Sequence, residues 1–403
     1  MEKTGHKEAA DILINAVKPV KGRRIKIEDL FMRVLAEDIT AKENVPHFDR
    51  SPYDGYAFKA EDTRGADKTG GKKLKVIENI RAGQRAKKRV ESETAIRLMT
   101  GAPIPEGADC VCKYEDTDFT EETVTIKREY KAGENIIRAG EDIEGGSLLL
   151  KAGTAADAAV AGIAASLGLT ELTVYEKPKA AIISTGDEVV DIIETPEKGK
   201  IRDSNRFTIA AALKYIGIEP VFMGHVKDYV NDIKETILKA EEECHVLIST
   251  GGVSAGDFDL VPKAMEEAGY KILVRGIDMK PGMACAYGIK ENRLFLALSG
   301  NPASSLTNLQ CICYPALRKL VGLRDYDHRY FSMILKDDIK KTGGGVRFIR
   351  GSFDMEDTRG VFIPKKRQGN VVISSAAFCN AYALMPKGSA PLSKGDTVEG
   401  FLI

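Results

Sequence analysis

Apolar residues recur at helical spacing near the start of the chain. Ala9, Ile12, Leu13, Ala16 and Val17 form one stripe that stops before Pro19. Ile27, Leu30, Phe31, Val34 and Leu35 repeat the spacing and predict a second helix. After Asn44-Val45-Pro46 the texture changes. From about 54 to 140, short strand-like runs such as 74–77 and Thr123–Ile126 alternate with Gly, Pro and charge clusters, the pattern of a small β-rich domain. A small-residue stretch over 155–166, closed by Gly168, predicts a helix.

Between 179 and 322 the pattern is most legible. Strands are predicted at 180–184, 220–225, 246–249 and 271–274. Helices are predicted between them: one capped by Ser204 and running through Tyr215 to Gly217, an amphipathic one over 231–242 with Ile233, Ile237, Leu238 and Val230 inward, and one over 260–268. Strands alternating with helices predict a parallel sheet with right-handed crossovers. A further helix is predicted over 303–320. The tail, about 323 to 403, reads as a compact β-barrel or sandwich, with strands at 330–335, 346–353, 361–364, 370–374, 382–385 and 398–403.

Composition narrows the function. With 403 residues, several domains are expected, and 43% hydrophobic against 29% charged residues is ordinary for a globular chain. Lys+Arg and Asp+Glu both total 59, which argues against a sequence-independent nucleic-acid binder. No apolar run is long enough for a membrane helix, and the charged N-terminus lacks a signal-peptide core. The seven cysteines are irregularly spaced; Cys110/Cys112 and Cys311/Cys313 are not Cys-x-x-Cys pairs, so buried reduced thiols in a cytoplasmic protein are expected.

Ligands of an open parallel sheet bind beyond the carboxyl ends of the strands. There the sequence places Thr185, Gly186, Asp187 and Glu188 after the first strand, and Asp228 after the second. Gly251, Gly252, Ser254, Gly256, Asp257 and Asp259 follow the third. Glycines bring backbone N–H groups close to phosphate oxygens, and carboxylates hold Mg²⁺ against them. Lys280, in Lys280-Pro281-Gly282, adds a positive charge. Gly300, Asn301 and Pro302 open a helix whose N-terminus is an expected anion site. Singly, each of these is an ordinary turn, cap or surface lysine; their convergence on one crevice makes a phosphate–metal site the reading. Neither a Walker P-loop nor a Gly-x-Gly-x-x-Gly fingerprint at a strand end is present.

Five segments in order then carry a resemblance: Ser51-Pro52-Tyr53-Asp54-Gly55-Tyr56-Ala57; Arg97-Leu98-Met99-Thr100-Gly101-Ala102-Pro103-Ile104-Pro105-Glu106-Gly107-Ala108-Asp109; Ser184-Thr185-Gly186-Asp187-Glu188; Ser249-Thr250-Gly251-Gly252-Val253-Ser254-Ala255-Gly256-Asp257; and Gly300-Asn301-Pro302. The chain resembles the MoeA family of molybdopterin molybdenumtransferases, which includes the gephyrin E domain, over nearly its whole length. The resemblance implies a multidomain α/β plus β fold in an elongated homodimer. Its parts would be a discontinuous linking domain (1–45 and 141–178), a β-rich inserted domain (46–140), a central parallel α/β molybdopterin-binding domain (179–322) and a C-terminal β-barrel (323–403). It implies an Mg²⁺-dependent reaction in which adenylyl-molybdopterin and molybdate give the molybdenum cofactor and AMP. The pterin would be handed over by a molybdopterin adenylyltransferase.

Carried over residue by residue, the resemblance implies catalytic roles for Asp54, Thr100, Asp142, Glu188, Asp228 and Asp259, with Glu188, Asp228 and Asp259 as metal ligands. It implies substrate binding by Thr185, Gly186, Gly251, Gly252, Ser254, Lys280, Gly300, Asn301, Pro302, Arg350 and Ser375, the last beside Ser374. Three positions depart from the pattern: Met283 stands where many members have a second lysine, Ser299 where they have proline, and Asn370 where serine is frequent. These bear on oxyanion affinity and on molybdate against tungstate, not on the fold. The crevice taken alone also suits a non-catalytic pterin-binding protein or another phosphoryl or nucleotide-sugar transferase.

Overall fold

The computed structural model describes residues 3–253, 260–340 and 345–403. The chain divides into two compact units: Met1–Glu37, Ala152–Asp157 and Glu171–Ile403 form one; Asp38–Lys151 and Ala158–Thr170 form the other.

The larger unit is built on a six-stranded sheet. Its spatial order is Glu219–Val226, Lys179–Thr185, Val246–Thr250, Arg293–Leu298, Cys285–Lys290 and Lys271–Arg275. The first four strands run parallel; Cys285–Lys290 is antiparallel to both its neighbours. The period-2 alternation of each strand explains how one sheet holds two cores. Ala180, Ile182, Val246, Ile248, Leu294 and Leu296 point to one side, where helices His6–Ala16 and Asn205–Tyr215 pack. Ala181, Ile183, Leu247, Phe295 and Ala297 point to the other, under Val230–Glu241 and Leu260–Glu267.

Two expectations for this sheet are corrected. The expected strand order lacks a hairpin, Cys285–Lys290 with Arg293–Leu298, which is inserted between 246–250 and 271–275 and puts an antiparallel strand into the sheet. Leu238 lies 43% exposed rather than on the inward face, where Ile233, Ile237 and Ala240 sit instead.

The helix expected over 303–320 forms in three parts, Pro302–Asn308, a wider π-turn over Leu309–Cys313, and Tyr314–Val321. Beyond it lies a closed barrel of five strands: Phe331–Leu335, Val346–Glu356, Arg359–Pro364, Ala381–Met385 and Thr397–Leu402. The pairing of Val346–Glu356 with Ala381–Met385 closes it. Residues 370–374 are not a barrel strand: Ile373–Ala376 is a 3₁₀ turn. Phe348, Tyr382 and Phe401 of the barrel join the same apolar core as the helices. The second expected N-terminal helix does not form either. Gly22–Lys26 is a strand paired with Glu171–Tyr175, Ile27–Asp29 is a single 3₁₀ turn, and Phe31 is left 67% exposed.

The smaller unit has its own six-stranded mixed sheet, in the order Cys110–Lys113, Gly55–Phe58, Thr94–Leu98, Lys72–Ile80, Thr123–Ile126 and Thr117–Phe119. Tyr56 and Phe58 pack on one face and Ala57 on the other, which is why all four residues of Gly55–Phe58 are buried. The unit also contains the expected helix, Ala158–Ser166. Six of the seven cysteines are buried, and all seven are free thiols, as expected. Among the described residues no helix is long and apolar enough to cross a membrane.

Candidate functional site

The sheet order reverses direction at Lys179–Thr185, whose two neighbours are the second and third strands in sequence. A crevice is expected at that switch point, and the described candidates that follow the first three strands gather there, with Gly300. The Thr185 hydroxyl donates to the Thr250 carbonyl at 3.3 Å, tying the two strand ends together. Gly251, at φ +100°, passes so close that a Cβ would sit 2.7 Å from the Thr185 carbonyl oxygen. A Cβ on Gly300 would lie 3.5 Å from the Gly251 Cα, and the Gly300 carbonyl accepts from Asn205 Nδ2 at 2.8 Å. Thr185, Gly251, Gly252 and Gly300 thus share one end of the sheet.

The acids meet beside them. Gly186 lies against Glu188, a Cβ there falling 2.7 Å from Oε2. Asp228 has a buried Oδ1 without a hydrogen-bond partner. Burial pushes the Asp228 carboxyl up, followed by the charge of Asp187 and, more weakly, of Glu188; the N–H groups of Asp187 and Gly186 pull the other way. An orphaned carboxylate oxygen beside two further carboxylates suits a hard cation such as Mg²⁺. Glu188 and Asp228 would hold it from the described residues, with Asp187 closer in influence to Asp228 than Glu188 is. Among the described residues no three His, Cys, Asp or Glu side chains form a ready metal site. Ser254 and Asp259, together with Gly256 and Asp257, lie outside the described residues.

Pro302–Asn308 is the hub for the remaining candidates. The expected anion site at its N-terminus is corrected: the N–H groups of Ala303 and Ser304 already donate to the Asn370 carbonyl, at 3.0 and 3.2 Å. On one flank, Asn308 Nδ2 holds the Gly282 carbonyl at 2.9 Å, fixing the turn that carries exposed Lys280. On the other, Arg350 is fully buried. Its Nε donates to Ser375 Oγ at 3.1 Å, Nη1 to Thr307 Oγ1 at 3.4 Å, and Nη2 to the Gly369 carbonyl at 3.1 Å. Among the described residues no carboxylate is hydrogen-bonded to this guanidinium, and its burial makes the charged form less favourable. Lys280, Arg350 and Ser375 are therefore tied to the short helix that Asn301 and Pro302 open.

In the smaller unit, Asp54 Oδ1 accepts from both the N–H and the hydroxyl of Thr100, at 2.7 and 2.8 Å. These two bonds hold the Asp54 carboxyl below its ordinary range. The Gly101 N–H donates to the Ser51 carbonyl at 2.8 Å, joining the two motif loops. Asp142 lies on an exposed bend, its N–H donating to the Val45 carbonyl at 3.1 Å.

Three family models match successive parts of the chain. They are the MoeA N-terminal region (domain I and II) over residues 5–168, the "Probable molybdopterin binding domain" over 181–319, and the MoeA C-terminal region (domain IV) over 332–402. A molybdopterin molybdenumtransferase of Staphylococcus aureus (strain Mu50) is 32% identical over 393 residues, 98% of this chain and 94% of that relative. The chain belongs to the MoeA family of molybdopterin molybdenumtransferases. Members carry out a transfer step of molybdenum cofactor biosynthesis, so the chain is a transferase of that route. The same-named protein of Staphylococcus epidermidis is 33% identical over 396 residues, 98% of this chain and 94% of that relative. The crystal structure of the molybdopterin biosynthesis moeA protein from Pyrococcus horikoshii OT3 matches with a TM-score of 0.87 and 30% identity, covering 100% of both chains.

This MoeA-family site also uses residues that sequence reading passed over. Asp203, 3% exposed, accepts from Ser184 Oγ at 2.6 Å and sits 3.1 Å from His225 Nε2, while its Oδ1 accepts from the Arg206 N–H at 2.9 Å. It therefore links the strand ends that carry Glu188 and Asp228. It also takes the capping role expected of Ser204, which makes no side-chain cap bond. Thr307 and Asn308 were signalled by their setting: a helix with Ser304, Ser305, Thr307 and Asn308 all buried has no solvent face, so its polar groups need internal partners.

Proposed function

We propose that this MoeA-family chain takes adenylyl-molybdopterin and molybdate, cleaves the adenylyl phosphoanhydride, and releases AMP with molybdenum held on the pterin dithiolene. The observation that carries the reading is the partnerless Asp228 oxygen set among Asp187, Glu188 and the close-packed glycines 186 and 251. Mg²⁺ bound there would neutralise charge on the anhydride phosphates. Glu188 and Asp228 would hold it, with Asp259 as the third expected ligand. Backbone groups around Gly186, Gly251 and Gly252 would orient the phosphates, at no cost in reorganisation because the turns are fixed by the Thr185–Thr250 bond. Lys280, Arg350 and Ser375 would bind the oxyanion. Arg350 suits that task because, among the described residues, its buried guanidinium is hydrogen-bonded to hydroxyls and a carbonyl and to no carboxylate. Asp54, Thr100 and Asp142 keep the catalytic roles that the resemblance gives them, and positioning rather than a covalent nucleophile would supply most of the rate.

The domain plan expected from the resemblance is proposed with it: linking domain 1–45 and 141–178, inserted domain 46–140, pterin-binding domain 179–322, and barrel 323–403. So are a homodimer, a cytoplasmic setting, and delivery of the pterin by a molybdopterin adenylyltransferase. The test is AMP release from adenylyl-molybdopterin with Mg²⁺ and molybdate. Asp228→Asn should lose release while keeping the wild-type melting profile. Normal turnover by that variant would remove Asp228 from the chemistry, and no AMP from the wild type would leave a binding protein.

A further inference from the structure

A short N-terminal segment is docked against the lysine turn. Thr4 forms a parallel bridge with Ile277; its N–H donates to the Gly276 carbonyl at 3.3 Å, and its carbonyl accepts from the Asp278 N–H at 2.9 Å. This register brings Lys3 Nζ to 2.8 Å from the Met283 sulfur. A thioether is a weak, neutral acceptor, so the contact positions the ammonium without cancelling its charge.

Asp278, whose N–H the Thr4 carbonyl accepts, stands two residues before Lys280. Lys387 Nζ sits 2.7 Å from its Oδ2, and Lys3 and Lys280 also act on it electrostatically. Three ammonium groups thus face one carboxylate, and this group of four side chains carries two positive charges in excess. The turn beneath them is rigid. A Cβ on Gly282 would lie 3.1 Å from the Ser304 carbonyl and 3.0 Å from Asn308 Cβ, so the backbone cannot retreat to spread the lysines. Like charges held together by a fixed backbone favour a compact, multiply charged anion.

We propose that Lys3 is an anion-binding residue that supplies, from the N-terminal segment and braced on Met283, a second positive charge next to Lys280. This rests on the function proposed above and extends it. It also gives the departure at Met283 a physical sense: the charge missing from position 283 is delivered through space by another part of the chain. The ligand chemistry is a tetrahedral oxyanion, which either molybdate or a substrate phosphate provides.

The experiment uses the full chain with Lys3→Ala, and the double variant Lys3→Ala/Met283→Lys. AMP release is measured while molybdate and adenylyl-molybdopterin are varied separately, and molybdate binding is followed by calorimetry in the absence of pterin. Lys3→Ala should raise KM for the anion about three- to tenfold, with a smaller change in kcat, and the double variant should recover most of the loss. A rise confined to molybdate identifies the oxyanion as the ligand; a rise confined to the pterin substrate identifies its phosphate. Either outcome supports Lys3. Unchanged KM for both substrates, or a loss that Met283→Lys does not relieve, overturns the proposal. If the wild type releases no AMP, the function reading fails, and calorimetry on wild type and Lys3→Ala still decides the role of Lys3.

Discussion

Arg350 donates from Nη1 to the hydroxyl of Thr307 at 3.4 Å, so a barrel residue is bonded to the helix that borders the crevice. The arginine is fully buried and also serves Ser375 and the Gly369 carbonyl. Lysine cannot reach three acceptors in one plane. Arg350→Lys should therefore cost about 1–3 kcal/mol, since it leaves buried acceptors unserved. Denaturant unfolding measures this; an unchanged midpoint and slope would mean these bonds contribute nothing to the fold.

Gly251→Ala should be far more damaging than Gly300→Ala. Position 251 holds φ +100°, and a Cβ would lie 2.7 Å from the Thr185 carbonyl oxygen, whereas at 300 it meets only ordinary contact at 3.5 Å. The strained backbone alone costs about 1–3 kcal/mol. Thermal melting of the two variants side by side reads the difference, and equal melting points would contradict the packing described for the switch point.

Thr100→Val removes the hydroxyl that donates to Asp54 but leaves the backbone donor. The Asp54 carboxyl should then titrate closer to its ordinary range, without reaching it, because the backbone bond is the larger of the two influences. In the wild type the depressed carboxyl contributes stability that is present above the ordinary carboxylate pKa and lost as pH falls through the depressed one. Carboxyl-detected NMR titration of both proteins follows this, and an Asp54 titration unmoved by the substitution would show that the hydroxyl is irrelevant.

His328 sets an acid limit on the larger unit. Its ring stacks on Phe401 at 3.9 Å between centroids, and burial, then the charge of Arg318, pushes the imidazole down to about 4. The folded chain keeps it neutral while the unfolded chain takes up a proton near pH 6.5. Its effect on stability is therefore flat above about 6.5 and grows unfavourable as pH falls to about 4, reaching about 3 kcal/mol. His328→Phe should flatten unfolding free energy against pH across that window. An identical slope in both proteins would assign the acid sensitivity elsewhere.

Much of the larger unit was readable because its buried strands are short apolar runs bounded by turns, and its helices show a clean 3.6-residue stripe. The hairpin Cys285–Lys290 and Arg293–Leu298 was not read. In its two-residue turn, Glu291-Asn292, the left-handed position falls on Glu291 rather than on the glycine or asparagine that announces such a turn. The pattern at Ile27–Leu35 misled because helical spacing there serves a single 3₁₀ turn and two isolated bridges, Val34 to Ala155 and Leu35 to Val174, and this tertiary pairing overrides local preference. At the site, the glycines and the acids after the first two strands were legible from their positions at strand ends. Asp203 and Asn370 were not: one acts through hydrogen bonds to Ser184 and Arg206, the other through a carbonyl that every residue possesses.

Met279 and Lys280 pair in parallel with Val346 and Arg347, so the lysine turn is an extra rung on the barrel wall. The lysine therefore travels with that wall and not as an independent loop. Strand Val346–Glu356 begins at this rung and carries Arg350 further along, so Lys280 and Arg350 are fixed to the same strand. A tilt of the barrel would move both cations together, keeping the spacing between them while changing their distance from the acids of the crevice.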